Sequence, residues 1–226
     1  MINILMSRGI LSTEPLVQEL KGVISKDHRV AVLLYSFFSK DLSTPEAYDR
    51  FYAFEGENIQ KIIGYFTPYG IDPSTISWIN YYHDDHDVAI KKIKDADILY
   101  FPGGAPDEMM QRIIEKGLKD AIEEHQKIYI GSSAGAMIQF KHYHISKDFD
   151  YPRFSYEEGL NLLTGFSVEV HYRRRKKQKA AMKKVFRAFH HPILTIPDDG
   201  AVLIEGDVIT LIETADVMYD QKGIFR

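Results

Sequence analysis

The chain has no cysteine among its 226 residues. Disulfides, thiolate metal sites and a cysteine nucleophile are therefore excluded, and folding needs no oxidising compartment. No apolar run approaches the ~18 residues of a membrane span. The first residues, Met1 to Ser7, lack the basic region and small-residue cleavage site of a secretion signal. The expectation is a soluble, cytoplasmic protein with no membrane partner. Neither sign of charge dominates: the formal net charge is −4, which points to no polyanionic partner and hence no nucleic acid for the chain as a whole. No low-complexity stretch marks a linker, and 45% hydrophobic content over this length is enough for a single domain, residues 1–226, that buries roughly 70% of its unfolded surface.

What is present is an alternation. Short β-branched or aliphatic runs near 2–6, 29–36, 76–81, 97–102 and 127–132 are separated by longer amphipathic stretches near 14–25, 47–66, 86–95 and 107–125, and such alternation predicts an α/β fold with a parallel sheet. In the stretch from Asp107, the residues Met110, Ile113, Ile114, Leu118 and Ile122 recur at helical spacing and predict the sheet-facing stripe, with Glu115, Lys116, Lys119 and Glu123 in water. Beyond residue 141 the texture changes to an aromatic-rich loop over 142–156, a strand-like segment Phe166–Val170, a basic helix, and a run from Ile193 to Ile212 that reads as a hairpin or meander.

Ligands of parallel α/β sheets sit beyond the carboxyl ends of the strands. Three turns fall there: Ser7-Arg8-Gly9, Gly103-Gly104 and Gly131-Ser132-Ser133-Ala134-Gly135. The last fits G-x-S-x-G, a sharp strand-to-helix bend that lifts the central hydroxyl off the sheet edge. Ser133 is therefore the candidate nucleophile, with the amide of Ala134 and one from Gly103-Gly104 on the neighbouring turn as candidate oxyanion donors. A serine nucleophile needs a base, and nine histidines are available. His171 is preferred because it ends a strand and precedes a helix, where it can lean over the elbow. His142, His144, His190 and His191 are read as structural. The cluster His83-Asp84-Asp85-His86-Asp87 is read as the acidic opening of a helix rather than a metal site.

Taken in order, Phe-Pro-Gly-Gly, Gly-Ser-Ser-Ala-Gly-Ala, Gly159-Leu-Asn-Leu-Leu163, Val-His-Tyr and Ile-Pro-Asp-Asp-Gly-Ala resemble the dipeptidase E-like serine peptidases, a family that includes aspartyl dipeptidases and cyanophycinases. The resemblance spans about residues 97–206. It implies a flavodoxin-like three-layer sandwich of the class I glutamine amidotransferase type, with serine in place of cysteine, no metal or organic cofactor, and a small peptide substrate. It places Ser133 as nucleophile, His171 as base, and Gly104 and Ala134 at the oxyanion. Two acids remain open for the third member, Asp198 in Ile-Pro-Asp-Asp-Gly and Asp148 in the loop between elbow and histidine. A turn role for Asp198 beside Asp199-Gly200 is the plainer alternative. Relatives usually carry a polar residue after the paired glycines, whereas this chain has Ala105-Pro106.

The run Arg173-Arg-Arg-Lys-Lys177 opens a basic amphipathic helix whose apolar face is Met182, Val185, Phe186 and Phe189. A solvated helix face is the ordinary reading. Because the run directly follows His171, Arg173, Arg174 and Arg175 are also candidates for binding a substrate carboxylate, in keeping with the acidic substrates the resemblance implies. Overall the sequence predicts a serine-type dipeptidase or small-peptide hydrolase, monomer or homodimer. The competing class is a non-catalytic ligand-binding or regulatory protein on the same fold; an α/β-hydrolase esterase is disfavoured by the short chain and by the Gly-Gly turn on the strand just before the elbow.

Overall fold

A computed structural model describes residues 1–219. Its strands in chain order are β1 (Ile2–Met6), β2 (Val30–Leu34), β3 (Ile76–Asn80), β4 (Ile98–Phe101), β5 (Ile128–Ser132), β6 (His142–Ile145), β7 (Ser155–Glu158), β8 (Ser167–Val170), β9 (Ile193–Ile196), β10 (Ala201–Glu205), β11 (Val208–Ile212) and β12 (Asp216–Tyr219). The helices are α1 (Glu14–Leu20), α2 (Pro45–Phe51), α3 (Glu57–Phe66), α4 (His86–Asp95), α5 (Pro106–Glu115), α6 (Lys119–Glu124), α7 (Ala134–Met137) and α8 (Lys176–Phe189).

Seven strands form the central sheet in the order β11-β10-β1-β5-β4-β2-β3. The five from β1 to β3 are mutually parallel, and the β10–β11 hairpin closes the β1 edge antiparallel. Strands covered on both faces should read as continuous apolar runs, and Val30–Leu34 and Ile98–Phe101 are buried throughout. One core, around Leu33, Phe101, Met109, Ile113 and Tyr129, lies on one face; the other, around Ile4, Leu16, Val32, Ile62 and Ile130, lies opposite. This is the three-layer, mainly parallel α/β sandwich the sequence predicts. Parallel register sets Met6 beside Ser132 and Phe101 beside Gly131, so the turns after β1, β4 and β5 emerge side by side.

Several boundaries differ from the sequence reading. The stretch near 47–66 is two helices separated at residues 52–56, where Gly56 donates to the Ala53 carbonyl at 2.8 Å and caps α3. The stretch from Asp107 is also two. Gly117 adopts a left-handed φ of 66°, and the Leu118 amide reaches back to the Ile113 carbonyl at 3.0 Å, a glycine-terminated helix end. The chain changes direction there, so Met110, Ile113, Leu118 and Ile122 stay buried while Ile114 is 60% exposed, outside the expected stripe. The aromatic segment expected as a loop over 142–156 begins with β6 and runs into β7, which pair antiparallel through residue 158, and the run from Ile193 is split between sheets: β9 pairs with β8 and β12 in a small three-stranded sheet, while β10 and β11 join the central one. Among the described residues no helix is long and apolar enough to cross a membrane.

Candidate active site

The elbow is built by close packing that only glycine permits. A Cβ on Gly131 would lie 2.1 Å from the Gly135 carbonyl oxygen, and one on Gly135 would lie 1.9 Å from that of Phe101 in β4. The two absent side chains let β5 turn directly into α7 while α7 rests on β4. Ser133 at the bend has φ 49° and ψ −111°, a region that costs on the order of 1–3 kcal/mol for a residue with a side chain and is held by its surroundings. Its amide donates to the Met6 carbonyl at 2.8 Å, tying the bend to the end of β1. The neighbouring serine takes a different direction: Ser132 is buried and its hydroxyl lies 3.2 Å from the hydroxyl of buried Tyr100.

The turn after β4 is fixed by Ser36, whose hydroxyl donates to the Gly103 carbonyl at 2.8 Å and whose carbonyl accepts from the Ala105 amide at 2.6 Å. Gly104 has φ 149°, and a Cβ there would meet the Ser36 oxygen at 1.9 Å, so this approach also requires glycine. Ala105 is fully buried, and Pro106 begins α5 and lines the same cavity as Gly104 and Ser133.

His171 follows β8 in a left-handed conformation, φ 50°. Two polar side chains hold that turn. The Ser7 hydroxyl, just beyond β1, accepts from the His171 amide at 2.8 Å and donates to the Ile196 carbonyl. The buried Gln178 of α8 donates to the His171 carbonyl at 2.9 Å and accepts from the Arg173 amide at 2.9 Å. The imidazole is thereby set with Nε2 2.9 Å from the Ser133 hydroxyl and Nδ1 2.7 Å from Asp198 Oδ1. An ionised carboxylate only accepts, so Nδ1 carries the hydrogen, and in the neutral ring Nε2 is left to accept from the serine.

Asp198 lies in a turn closed by the Gly200 amide on the Pro197 carbonyl at 3.0 Å; its turn role and its bond to His171 coexist. Its Oδ2 also pairs with Arg173 at 2.6 Å and Arg8 at 3.1 Å. Partial burial acts to raise its pKa, but the hydrogen bonds from His171, Arg173 and Arg8 outweigh it and hold the carboxyl well below the usual carboxylate range. Asp148 is placed differently: it lines the cavity, and its carboxylate accepts from the Tyr151 amide at 2.8 Å. The structure thus brings Ser133, His171 and Asp198 into one chain of hydrogen bonds and sets Asp148 on the cavity wall.

The cavity beside these residues has a volume of about 210 Å³. Arg173, Arg175 and Lys177 line it; Arg174 faces a separate cavity with Tyr172 and Asp199. Of the histidines read as structural, His190 caps the end of α8, His191 bonds Ser167 at 2.7 Å, and His142 is exposed. His144 is buried at the cavity, its Nε2 2.7 Å from Glu169, which also accepts from Ser146 at 2.8 Å. That pair was not assigned from sequence, although a glutamate inside the apolar strand Phe166–Val170 requires a partner when buried. Asp85 caps α4 by accepting from the Val88 amide at 2.8 Å, and among the described residues no cluster of three or more histidines and acids is arranged to hold a metal ion.

A mainly parallel α/β sandwich with a strained serine elbow facing a histidine–aspartate pair has the architecture of a serine hydrolase. Residues 55–212 match the model of peptidase family S51, and the chain belongs to that family of serine-type peptidases. Two solved structures share the fold. A putative peptidase E protein from Listeria monocytogenes EGD-e superimposes with a TM-score of 0.65 at 19% identity, covering 93% of this chain and 96% of its own. A peptidase from an acI-B1 Actinobacterium gives 0.61 at 17% identity, covering 100% and 96%. No curated protein matches the sequence.

Proposed function

We propose that the protein hydrolyses dipeptides or other short peptides through an acyl-enzyme on Ser133. The observation that carries this reading is the continuous relay from the Ser133 hydroxyl through His171 to Asp198, at 2.9 and 2.7 Å. His171 takes the serine proton through Nε2 as the hydroxyl attacks the peptide carbonyl, then returns it to the leaving amine; Asp198 keeps Nδ1 protonated and offsets the charge of the imidazolium. The amides of Gly104 and Ala134 flank the elbow and serve the oxyanion. Water then attacks the ester by the reverse proton path. None of these steps calls on a cofactor.

The cavity beside Ser133, about 210 Å³ in volume, has room for the residues flanking one scissile bond. Arg173 and Arg175 on its wall favour a substrate carboxylate, which supports an acidic peptide; Arg174, turned to the other cavity, is left out of that role. A dipeptide library tests the proposal. Turnover by the wild type, lost in both Ser133→Ala and His171→Ala, is the expected result. Turnover that survives in Ser133→Ala, or a wild type that binds dipeptides without cleaving them, overturns it in favour of a ligand-binding protein on the same fold.

A further inference from the structure

We infer that Arg8, acting with Arg173, is a positioning residue that sets the proton affinity of His171 through Asp198. The inference rests on the relay proposed above. The two oxygens of Asp198 have separate partners: Oδ1 faces His171 Nδ1 at 2.7 Å, while Oδ2 receives Arg173 Nη2 at 2.6 Å and Arg8 Nε at 3.1 Å. The arginines arrive from different parts of the chain, Arg8 from the turn after β1 and Arg173 from two residues beyond His171. Anchored from both, the carboxylate cannot rotate without breaking an ion pair, and Oδ1 stays aimed at the ring.

The same contacts have an electrostatic consequence. A lone aspartate would give its full charge to an imidazolium forming at His171. Here two guanidinium charges already offset the charge on the distal oxygen, so an imidazolium at His171 draws less support from the carboxylate than a lone aspartate would give it. The other charged groups around the imidazole are His144, Lys147, Asp148, Glu169, Arg175 and Lys177, which line the same cavity; the nearest acid among them in sequence, Glu169, is engaged by His144 and Ser146. Arg8 and Arg173 have side chains 57% and 48% exposed, so solvent screens their influence. Removing either should raise the titration midpoint of His171 by about half a pH unit, and removing both by about one.

The test is an NMR titration of the imidazole in the full chain, with the His171 signal assigned by its loss in His171→Gln. Arg8→Gln and Arg173→Gln should each raise the midpoint, and Arg8→Lys should restore it by keeping the charge. Arg29→Gln is the control: it removes a guanidinium that pairs with Asp97 at the amino ends of the strands and should leave the midpoint in place. In turnover, the acid limb of kcat/KM should move upward with the titration. An unmoved or lowered midpoint in both Arg8→Gln and Arg173→Gln, or an equal rise in Arg29→Gln, overturns the inference. The titration needs no substrate, so the outcomes separate. A raised midpoint in a protein that cleaves no peptide keeps the clamp and removes the hydrolase reading, whereas an active peptidase with an unmoved midpoint removes the clamp alone.

Discussion

Replacing Asp198 by asparagine preserves shape and removes one charge, and the structure dictates why this should be severe. Three donors converge on the two carboxylate oxygens: His171 Nδ1, Arg173 and Arg8. Asparagine offers one oxygen and one NH2. With its oxygen toward His171, the NH2 is driven against two guanidinium groups. In the flipped orientation the NH2 donates to Nδ1, the ring hydrogen moves to Nε2, and Nε2 can no longer accept from Ser133. Loss of the correct tautomer in a serine triad costs on the order of 10⁴ in rate, about 5 kcal/mol of transition-state stabilisation. The assay is the rate of covalent labelling by a fluorophosphonate, which needs the activated serine and no knowledge of the substrate. Asp198→Asn should label about 10³–10⁴ times more slowly than wild type. Asp148→Asn should label within about threefold of wild type, whatever it does to peptide KM, because its carboxylate is bonded to the Tyr151 amide and Nδ1 is already taken. The reverse ranking would refute the choice of Asp198.

Three further outcomes follow from the geometry. Gly135→Ala places a methyl group 1.9 Å from the Phe101 carbonyl, which the backbone relieves only by moving α7 off β4; a loss of more than about 3 kcal/mol in denaturant unfolding is expected, and a loss under about 1 kcal/mol would show that the elbow packs more loosely. Arg175→Gln should lower kcat/KM selectively for dipeptides bearing Asp or Glu, by about three- to tenfold, whereas Arg173→Gln, which also unpairs Asp198, should affect neutral and acidic dipeptides alike, and Arg174→Gln, facing the other cavity, should leave the selectivity alone; an equal effect of Arg175→Gln and Arg174→Gln would return the basic run to a solvated helix face. Because Asp198 is held below the usual carboxylate range, its ionised form contributes stability that is complete above the unfolded value of about 3.9 and is lost as pH falls from there through the lower folded value; the stability gap between wild type and Asp198→Asn should narrow over that acid range, and a gap constant from pH 7 to pH 2 would contradict the pairing.

The site was legible in the sequence wherever a local pattern carried it. The strand endings at Met6, Phe101 and Ser132 follow from apolar runs meeting glycine or serine turns, and parallel register then brings those turns together without further information. Gly131 and Gly135 announce an elbow because their spacing matches a steric need now visible as contacts with Gly135 and Phe101. The choice between Asp148 and Asp198 was not legible, since both lie in turn-forming segments and which one reaches His171 depends on where the β9–β10 turn falls in space. Arg8 sits in a turn noted as near the site, yet its ion pair joins residues 190 positions apart, beyond any periodicity. Helix ends differ from the reading at Gly56 and Gly117, where an amphipathic pattern continues across a glycine that opens one helix in extended conformation and ends another in the left-handed one. The aromatic 142–156 segment conceals a hairpin because its strands are only four residues each.

The central claim is that Ser133, and no other hydroxyl, is the nucleophile. The most direct measurement is the position of the covalent adduct after fluorophosphonate treatment, read by mass spectrometry of the proteolysed protein. The adduct should fall on Ser133 in the wild type, persist in Ser132→Ala, whose parent hydroxyl is turned toward Tyr100, and vanish in Ser133→Ala and His171→Ala. An adduct on Ser132, or labelling that survives in Ser133→Ala, would contradict the account.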